Sequence, residues 1–313
     1  MIQHSGQHAN MSPLGELVVN WHLTEACNYS CRYCYSKWHS NSTSKELIHN
    51  ADASTAVLAE IYRYFSPHKR QNQARLGMTW ESLRLNIAGG EPLLYSQEIV
   101  RIAAKAKEFG FTVSVITNGS CLTQPMMAVL APKLSVLGLS LDSAIHLTNL
   151  EIGRADRHSR VLNLDELASA VQSGRILNPD MRLKINTVVN ALNFSEDMSC
   201  VIQKLAPDKW KVLRMLPTVT SDLEIADHEF VEFIDRHKAF GKIITAEDNS
   251  NMVESYIMID PSGRFFQNSP TGSGYRYSDP ILQVGVETAF RQVTWFPAKF
   301  QARYAVAGSE SMA

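Results

Sequence analysis

Strand-like and helix-like segments alternate along the chain from residue 16 onward. Period-two hydrophobic patterns predict strands over 17–23, 83–87, 111–116, 135–141, 182–189 and 210–216. Helical spacing predicts helices over 52–65, 97–109, 125–130, 164–176, 195–205 and 227–240. Six β/α units in succession predict an α/β fold with a parallel sheet. Six strands are too few for a closed eight-stranded barrel. We therefore expect a partial, TIM-like (β/α)6 barrel.

Three regions are expected along the chain: a flexible N-terminus (1–15), the partial barrel (16–245) and a C-terminal extension over the barrel mouth (246–313). Within the extension, 254–260 is strand-like, 261–263 is a turn and 267–278 is a loop. Its aromatic-rich part, 295–304, is expected to pack over the mouth. The polar, serine-rich segment 35–51 is predicted to be a loop.

The predicted strands carry polar residues on one face, whereas buried parallel strands are usually apolar on both. Side chains alternate across a strand, so these residues point to a common side. If helices cover the apolar side, the polar side chains converge on the barrel interior. Burial of several cations without a partner is unfavourable, and an anionic ligand would relieve it. The alternative is that the charges lie at strand ends and face solvent. The residues are Asn20, His22, Thr24, Arg84, Asn86, Arg182, Lys184, Asn186, Lys209 and Lys211.

Composition restricts the class of protein. The 313 residues are 45% hydrophobic, which is sufficient for a large core, and the net charge of −1 argues against general nucleic-acid binding. No apolar run approaches the roughly 20 residues that a membrane helix needs. Five cysteines, three of them in one loop, do not make a disulfide framework, so we expect a cytoplasmic protein.

The three clustered cysteines follow the first predicted strand. Cys27, Cys31 and Cys34 are spaced at i, i+4 and i+7. Cysteine is the usual ligand of iron–sulfur clusters, and three thiolates can hold three irons of a [4Fe–4S] cluster and leave one iron open. The alternatives are a zinc knuckle with His39 or His22 as the fourth ligand, and three ordinary buried cysteines.

This spacing, with Tyr33 before the third cysteine, resembles the signature of the radical S-adenosylmethionine (SAM) enzymes. The segment Ala88–Pro92, which contains Gly89, Gly90 and Glu91, is similar to the glycine-rich element with which those enzymes hold the methionine amine of SAM. The resemblance implies a [4Fe–4S] cluster and SAM as cofactors. It also implies that Asn118 and Ser140 contact SAM, although Asn–Gly favours turns in any protein.

Further motifs, in collinear order over about residues 16–290, resemble the viperin family. They are the segments 20–24, 139–143 with 152–154, 183–190, 209–212, 255–260 with 264–265, and 281–287. The resemblance implies conversion of a ribonucleoside triphosphate (NTP), such as CTP, UTP or GTP, into its 3′-deoxy-3′,4′-didehydro form after hydrogen abstraction at C4′. It also implies an electron donor such as flavodoxin or ferredoxin, and an anti-phage role.

The same resemblance assigns the polar interior to the substrate. Lys184, Lys211, Arg84 and Arg154 would receive the triphosphate, with support from Lys209, and Asn20 and Asn86 would orient ribose or phosphate. The chain departs from vertebrate viperins at Arg84, where they have lysine, and at Ser262, where they have tyrosine. Because the sequence shows neither their N-terminal amphipathic helix nor their tryptophan-ended tail, we expect a protein similar to the prokaryotic members.

Two other functions are compatible with the sequence. Another radical SAM activity, GTP cyclase-like or peptide-modifying, usually needs extra cysteines, and the remaining Cys121 and Cys200 are expected to be buried small hydrophobes. A non-catalytic zinc- or nucleotide-binding module is the alternative from another class. The sequence does not indicate which base is preferred, which group donates the proton, or the oligomeric state.

Overall fold

The computed structural model describes residues 14–34, 36, 46–217, 220–252, 254–268 and 274–305, with the side chains of 250, 251 and 303–305 left aside. The strands are β1 (Leu14–His22), β2 (Trp80–Ala88), β3 (Thr112–Thr117), β4 (Val136–Ser140), β5 (Arg182–Val189), β6 (Lys209–Arg214), β7 (Ile244–Glu247), β8 (Ile257–Ile259), β9 (Arg264–Asn268) and β10 (Tyr275–Pro280). The helices are α1 (Ala51–Phe65), α2 (Lys69–Leu76), α3 (Ser96–Phe109), α4 (Gln124–Leu130), α5 (His146–Ile152), α6 (Leu164–Leu177), α7 (Ser199–Leu205), α8 (Asp227–Arg236), α9 (Asn249–Met252), α10 (Ile281–Val284), α11 (Val286–Arg291) and α12 (Pro297–Ala305).

All strands belong to one sheet in the order β10-β9-β8-β1-β2-β3-β4-β5-β6-β7. The strands β1 to β7 are parallel, β8 is parallel to β1, and β9 and β10 form an antiparallel hairpin at that edge. Lys211 of β6 hydrogen-bonds to Tyr256, which lies just before β8, although β6 and β8 are far apart in the strand order. The sheet must therefore curve to bring them together. The expected α/β fold with a mainly parallel sheet that is not closed is confirmed.

Helices cover the apolar face of the sheet. The largest fully buried side chains include Trp21, Trp80 and Trp210, one each from β1, β2 and β6. Each indole N–H donates within the core: Trp80 to the Phe65 carbonyl (2.8 Å), Trp210 to the Thr187 hydroxyl (2.9 Å) and Trp21 to the Asp260 carbonyl (3.3 Å). Burial of such rings contributes about 2–3 kcal/mol each, provided that the polar N–H is satisfied.

The six predicted strands are all present, and several further elements were missed. Four-residue β7 is too short to show a period, and the 267–278 loop prediction is wrong for Gln267, Asn268 and 275–278, which belong to β9 and β10. The predicted helix 195–205 begins only at Ser199, and 227–240 ends as an α-helix at Arg236 and is followed by a short 3-10 turn. The predictions for 1–13, 35 and 37–45 lie outside the described residues.

The C-terminal helices pack on the helical side of the sheet, where α10 and α11 contact α1. Within 295–304, Phe300 of α12 is fully buried in the main core, with its ring 5.5 Å from that of Trp295. None of the helices in the described part of the chain combines the length and apolar character needed to cross a membrane.

Candidate active site

The cysteine loop leaves the carboxyl end of β1, and its backbone hydrogen-bonds to the C-terminal end of α5. The Ser30 N–H donates to the Gly153 carbonyl (3.1 Å) and the Arg32 N–H to the Ile152 carbonyl (2.9 Å). Gly153 has φ +88°, and a Cβ there would lie 2.5 Å from the Ser30 carbonyl oxygen. Glycine is therefore required at this contact, because a side chain would push the loop away.

The thiols of this loop lie near one another in partly desolvated surroundings. The Cys27 sulfur accepts the Tyr29 N–H (3.4 Å) and the Asn118 side-chain amide (3.9 Å). Although Cys27 is exposed as a residue, protein surrounds its thiol, and this burial raises its pKa to about 11. Burial raises the pKa of Cys31 to about 12, and mutual repulsion among the three thiolates adds to it. A positive iron ion would offset that repulsion, since metal binding displaces the thiol protons.

The donor set fits an iron–sulfur cluster better than a single metal ion. No three His, Cys, Asp or Glu side chains in the described residues are arranged to hold one ion. His22, proposed as a zinc ligand, is buried with its ring 5.3 Å from that of Phe266, and burial lowers its pKa to about 3. His39 lies outside the described residues. Three thiols of one loop, each free to bind a different iron, match a cluster with one open iron.

The Gly89–Gly90–Glu91 segment runs against the backbone of the chain that leads into the cysteine loop. The Gly90 N–H donates to the Thr24 carbonyl (2.7 Å), and the Glu91 N–H donates to the Ala26 carbonyl (2.8 Å). A Cβ at Gly90 would lie 2.2 Å from the Ala26 carbonyl oxygen. The close approach explains why this element is glycine-rich.

Glu91 ties this segment to the end of β3. Its fully buried carboxylate accepts the Leu93 N–H (2.9 Å), the Thr117 hydroxyl (2.7 Å) and the Asn118 N–H (2.7 Å). Burial raises the pKa of Glu91 despite these donors, which act in the opposite direction. The side chain that was expected to bind the cofactor is thus engaged inside the protein.

A cavity of about 180 Å³ lies beside the cysteine loop at the carboxyl ends of β3 and β4. Its lining combines polar and apolar side chains: Tyr29, Asn118, Ser140, Leu141, Ser143, Ala144, His146, Asn149, Arg154, Val161, Leu162, Leu164 and Val201. The Asn118 amide group also donates to the Asn28 side-chain oxygen (3.0 Å). The cavity therefore connects two expected SAM contacts, Asn118 and Ser140, with the cysteine loop.

Arg154 belongs to this cavity. Its guanidinium forms a buried ion pair with Asp142 and donates to the Ser140 carbonyl (3.0 Å). Burial alone would lower the pKa of Arg154, but the adjacent Asp142 carboxylate outweighs it and raises that pKa further above its ordinary value. Tyr33 donates its phenol hydrogen to the same carboxylate, so Asp142 connects the cysteine loop to the cavity wall. Arg154 was expected among the triphosphate ligands, and it lines the cavity together with Asn118 and Ser140, the two expected SAM contacts.

The other expected cations converge on the sheet's inner face. Lys184 of β5 is half-buried, and desolvation of its ammonium by the surrounding protein lowers its pKa well below the ordinary value, with additional lowering from Lys211, Arg84 and Lys209. In the described part of the chain, Lys184 has no carboxylate within ion-pair distance. Such a lysine is costly to keep charged and favours an anionic ligand.

Two of the cations have protein partners that the sequence analysis missed. Arg84 is 3.1 Å from the Glu16 carboxylate, and Lys211 is 2.7 Å from the Glu247 carboxylate. Glu16 lies on the same face of β1 as Asn20 and could have been found by starting that strand earlier. Glu247 lies in the unpredicted strand β7, and Asp142 carries no sequence signal of its own.

Asparagines continue the polar face across β1 and β2. Asn86 donates to the Asn20 side-chain oxygen (2.8 Å) and accepts the Ser114 hydroxyl hydrogen (2.6 Å). Asn20 in turn donates to the Ile257 carbonyl (3.1 Å). The expected polar interior is therefore present as one connected network beside the cations.

Comparison with solved structures supports the class of fold. The chain superposes on anSMEcpe with bound AdoMet with a TM-score of 0.63 at 12% identity, covering 93% of this chain and 83% of that chain. It superposes on Streptococcus suis SuiB bound to precursor peptide SuiA with a TM-score of 0.58 at 14% identity, covering 96% and 68%. The Radical SAM superfamily profile matches residues 21–180. Fold and motif together define a radical SAM protein, a class that uses a [4Fe–4S] cluster and SAM.

Sequence relatives narrow the class. The chain is 42% identical to the S-adenosylmethionine-dependent nucleotide dehydratase of Psychrobacter lutiphocae, over 92% of this chain and 95% of the relative. It is 39% identical to that of Pseudoalteromonas ulvae, over 94% and 95%, and 29% identical to RSAD2 of Danio rerio, over 87% and 72%. The chain belongs to the viperin family of radical SAM proteins, the S-adenosylmethionine-dependent nucleotide dehydratases.

Proposed function

We propose that the protein dehydrates a ribonucleoside triphosphate (CTP, UTP or GTP) to its 3′-deoxy-3′,4′-didehydro form. The observation that carries the proposal is Lys184, a half-buried, desolvated lysine beside three other cations, with no carboxylate within ion-pair distance in the described residues. A polyphosphate would supply the missing negative charge. The names of the relatives, nucleotide dehydratases, support the same substrate class.

The cofactor side of the site lies at the carboxyl ends of β1 to β4. Cys27, Cys31 and Cys34 would each bind one iron, and the Gly89–Gly90 backbone, Asn118 and Ser140 would hold SAM. We assign Arg154 to SAM as well, because it lines the cavity with Asn118 and Ser140. Tyr33 and Glu91 would act by fixing the two loops, through Asp142 and through Thr117.

The substrate side lies deeper along the strands. Arg84, Lys184, Lys209 and Lys211 would bind the triphosphate, and the Asn20–Asn86 pair would orient the ribose. When bound, the cluster and SAM supply the radical chemistry that removes the C4′ hydrogen. Loss of the 3′-hydroxyl as water, with uptake of one proton and one electron, then gives the 3′,4′ double bond. The protein's contribution is to place C4′ in reach and keep solvent out.

Three further elements belong to this proposal. The electron would come from a small redox protein such as a flavodoxin or ferredoxin. The reaction would run in the cytoplasm, as the five free thiols suggest. Of these cysteines, Cys200 is exposed and Cys121 is half-buried, so the expectation that both are buried was wrong. An anti-phage role is inferred from the family resemblance.

The decisive experiment incubates the reduced, cluster-loaded protein with SAM and each NTP in turn. We expect 5′-deoxyadenosine formation that depends on one NTP, and a nucleotide product that mass spectrometry finds lighter by one water. Cleavage of SAM that no NTP stimulates would remove the nucleotide assignment and leave the superfamily intact. Colourless protein without iron and sulfide would support the zinc alternative.

Lys184→Met tests the observation on which the proposal rests. Removal of Lys184, which has no carboxylate within ion-pair distance in the described residues, should raise the KM for the NTP at least about tenfold, since charge-assisted contacts to phosphate contribute roughly 1.5–3 kcal/mol. NTP-independent SAM cleavage should persist, because Lys184 is not among the residues that line the SAM cavity. Lys242→Met, at an exposed lysine, is the matched control. An unchanged KM in Lys184→Met would contradict the proposed phosphate site.

A further inference from the structure

Lys211, Glu247 and Tyr256 form a closed hydrogen-bonded cluster on the inner face. The Lys211 ammonium is 2.7 Å from a Glu247 carboxylate oxygen and donates to the Tyr256 hydroxyl (2.7 Å). The Tyr256 hydroxyl donates to the other Glu247 oxygen (3.0 Å). The ammonium also lies 5.1 Å from the centre of the Tyr256 ring. Residues from three separate segments thus fix one lysine.

The surroundings explain why this lysine needs such support. Lys211 is only 9% exposed, and it adds to the positive charge that lowers the pKa of Lys184. Lysine is a compact charge on a flexible stem, and in a cationic neighbourhood repulsion would drive it outward or discharge it. Glu247 supplies the opposing charge, and Tyr256 restricts where the ammonium can lie.

The same segment reaches the predicted ribose site. Tyr256 directly precedes Ile257, whose carbonyl accepts the Asn20 amide hydrogen (3.1 Å), and Asn20 is bonded to Asn86. The short stretch before and within β8 therefore fixes the phosphate lysine and the asparagine pair together. A site that is already ordered loses less entropy when its ligand binds.

We propose that Glu247 and Tyr256 are positioning residues for the triphosphate and act through Lys211. The inference rests on the proposed function, because it takes the anion bound by Lys211 to be the triphosphate of the substrate. Neither residue needs to touch the nucleotide. Their effect is to hold the Lys211 ammonium in place and directed into the interior before substrate arrives.

A double-mutant cycle tests whether the two residues act through Lys211. In the reconstituted full-length protein, Tyr256→Phe should raise the KM for the NTP about 3–10-fold and Glu247→Gln about tenfold or more, with kcat within about twofold. In a Lys211→Met background, both changes should have almost no further effect on KM, since coupled residues are non-additive. Glu247→Asp, which keeps the charge, should recover part of the loss.

Matched controls separate positioning from general damage. Tyr64→Phe alters a buried tyrosine of the outer core, and Glu287→Gln breaks an exposed pair with Arg291; neither should change the KM. Additive effects in the Lys211→Met background would overturn the proposal, because Tyr256 and Glu247 would then act independently. A lower KM in Glu247→Gln would overturn it too, since the carboxylate would be competing with phosphate.

A binding measurement distinguishes failure of this inference from failure of the proposed function. Calorimetric titration of each protein with inorganic triphosphate needs no turnover. If wild type binds triphosphate but converts no NTP, the proposed function fails, and the same cycle on Kd decides the positioning role. If wild type binds no triphosphate at all, both are overturned.

Discussion

His22 shows at the scale of one residue how burial sets a protonation state. It lies on β1, 2% exposed, and burial lowers its pKa from 6.5 to about 3. The folded protein therefore keeps the imidazole neutral down to about pH 3, whereas the unfolded chain binds a proton below about 6.5. As the pH falls through this window, His22 binds a proton in the unfolded state but not in the folded state, so folding stability is lost.

The expected loss is about 1.4 kcal/mol for each pH unit below 6.5. Between pH 7 and pH 5, wild-type apoprotein should lose about 2 kcal/mol more of its unfolding free energy than His22→Phe, which keeps a ring against Phe266. Chemical denaturation of both proteins at the two pH values measures the difference. Equal pH dependence would show that His22 is protonated in the fold.

Residue-level prediction from sequence succeeded for charge placement and failed for charge pairing. Alternation along β5 and β6 was enough to direct Lys184 and Lys211 to one face, because a strand has a fixed two-residue period. The partners come from elsewhere in the chain: Glu247 is 36 positions beyond Lys211, counting 247 − 211. A single sequence carries no signal for such a pairing.

At the scale of the structural element, direct backbone contact fixes the positions of the glycine-rich segment and the cysteine loop. The Gly89–Gly90 segment and the chain before Cys27 approach so closely that a Cβ at Gly90 would meet the Ala26 carbonyl at 2.2 Å. A methyl group cannot be accommodated there unless one of the two backbones moves. Both segments are proposed to hold cofactors, so movement of either changes the cysteine positions.

Gly90→Ala should therefore lose most of its iron and sulfide after anaerobic reconstitution, and its apoprotein should melt several degrees lower. Gly15→Ala is the matched control, since a Cβ at Gly15 has nothing within 4 Å. Iron, sulfide and melting temperature are measured on both. Normal cluster content in Gly90→Ala would mean that the two loops adjust independently.

Element prediction depended on length and local pattern. Long strands such as β5, with bounds Arg182–Val189 in both sequence and structure, carry enough alternation to be recognised. Short elements do not: β7 has four residues, and α5 lies in a segment with little helical periodicity. The α5 terminus nevertheless holds the cysteine loop, so part of the site's support was invisible to pattern analysis.

In the whole molecule, the residues proposed to bind SAM lie at the carboxyl edge of the sheet, and those proposed to bind the triphosphate lie further along the strands. The cysteine loop, the glycine pair, Asn118 and Ser140 follow or end strands β1 to β4, as the fold places loops at the carboxyl edge. Lys184 pairs in register with Gly138, two residues before Ser140, so it lies further into the barrel. Arg154 is the exception to this pattern, because it follows a helix and not a strand.

The position of Arg154 predicts that Arg154→Lys and Lys184→Met affect different ligands. Arg154→Lys keeps a charge beside Asp142 but loses the planar fork, so it should raise the KM for SAM about tenfold and change the KM for the NTP less than twofold. Lys184→Met should show the reverse. Initial rates with each ligand varied at saturation of the other measure all four constants. If Arg154→Lys instead raised the KM for the NTP alone, Arg154 would belong to the phosphate group, as its sequence motif first indicated.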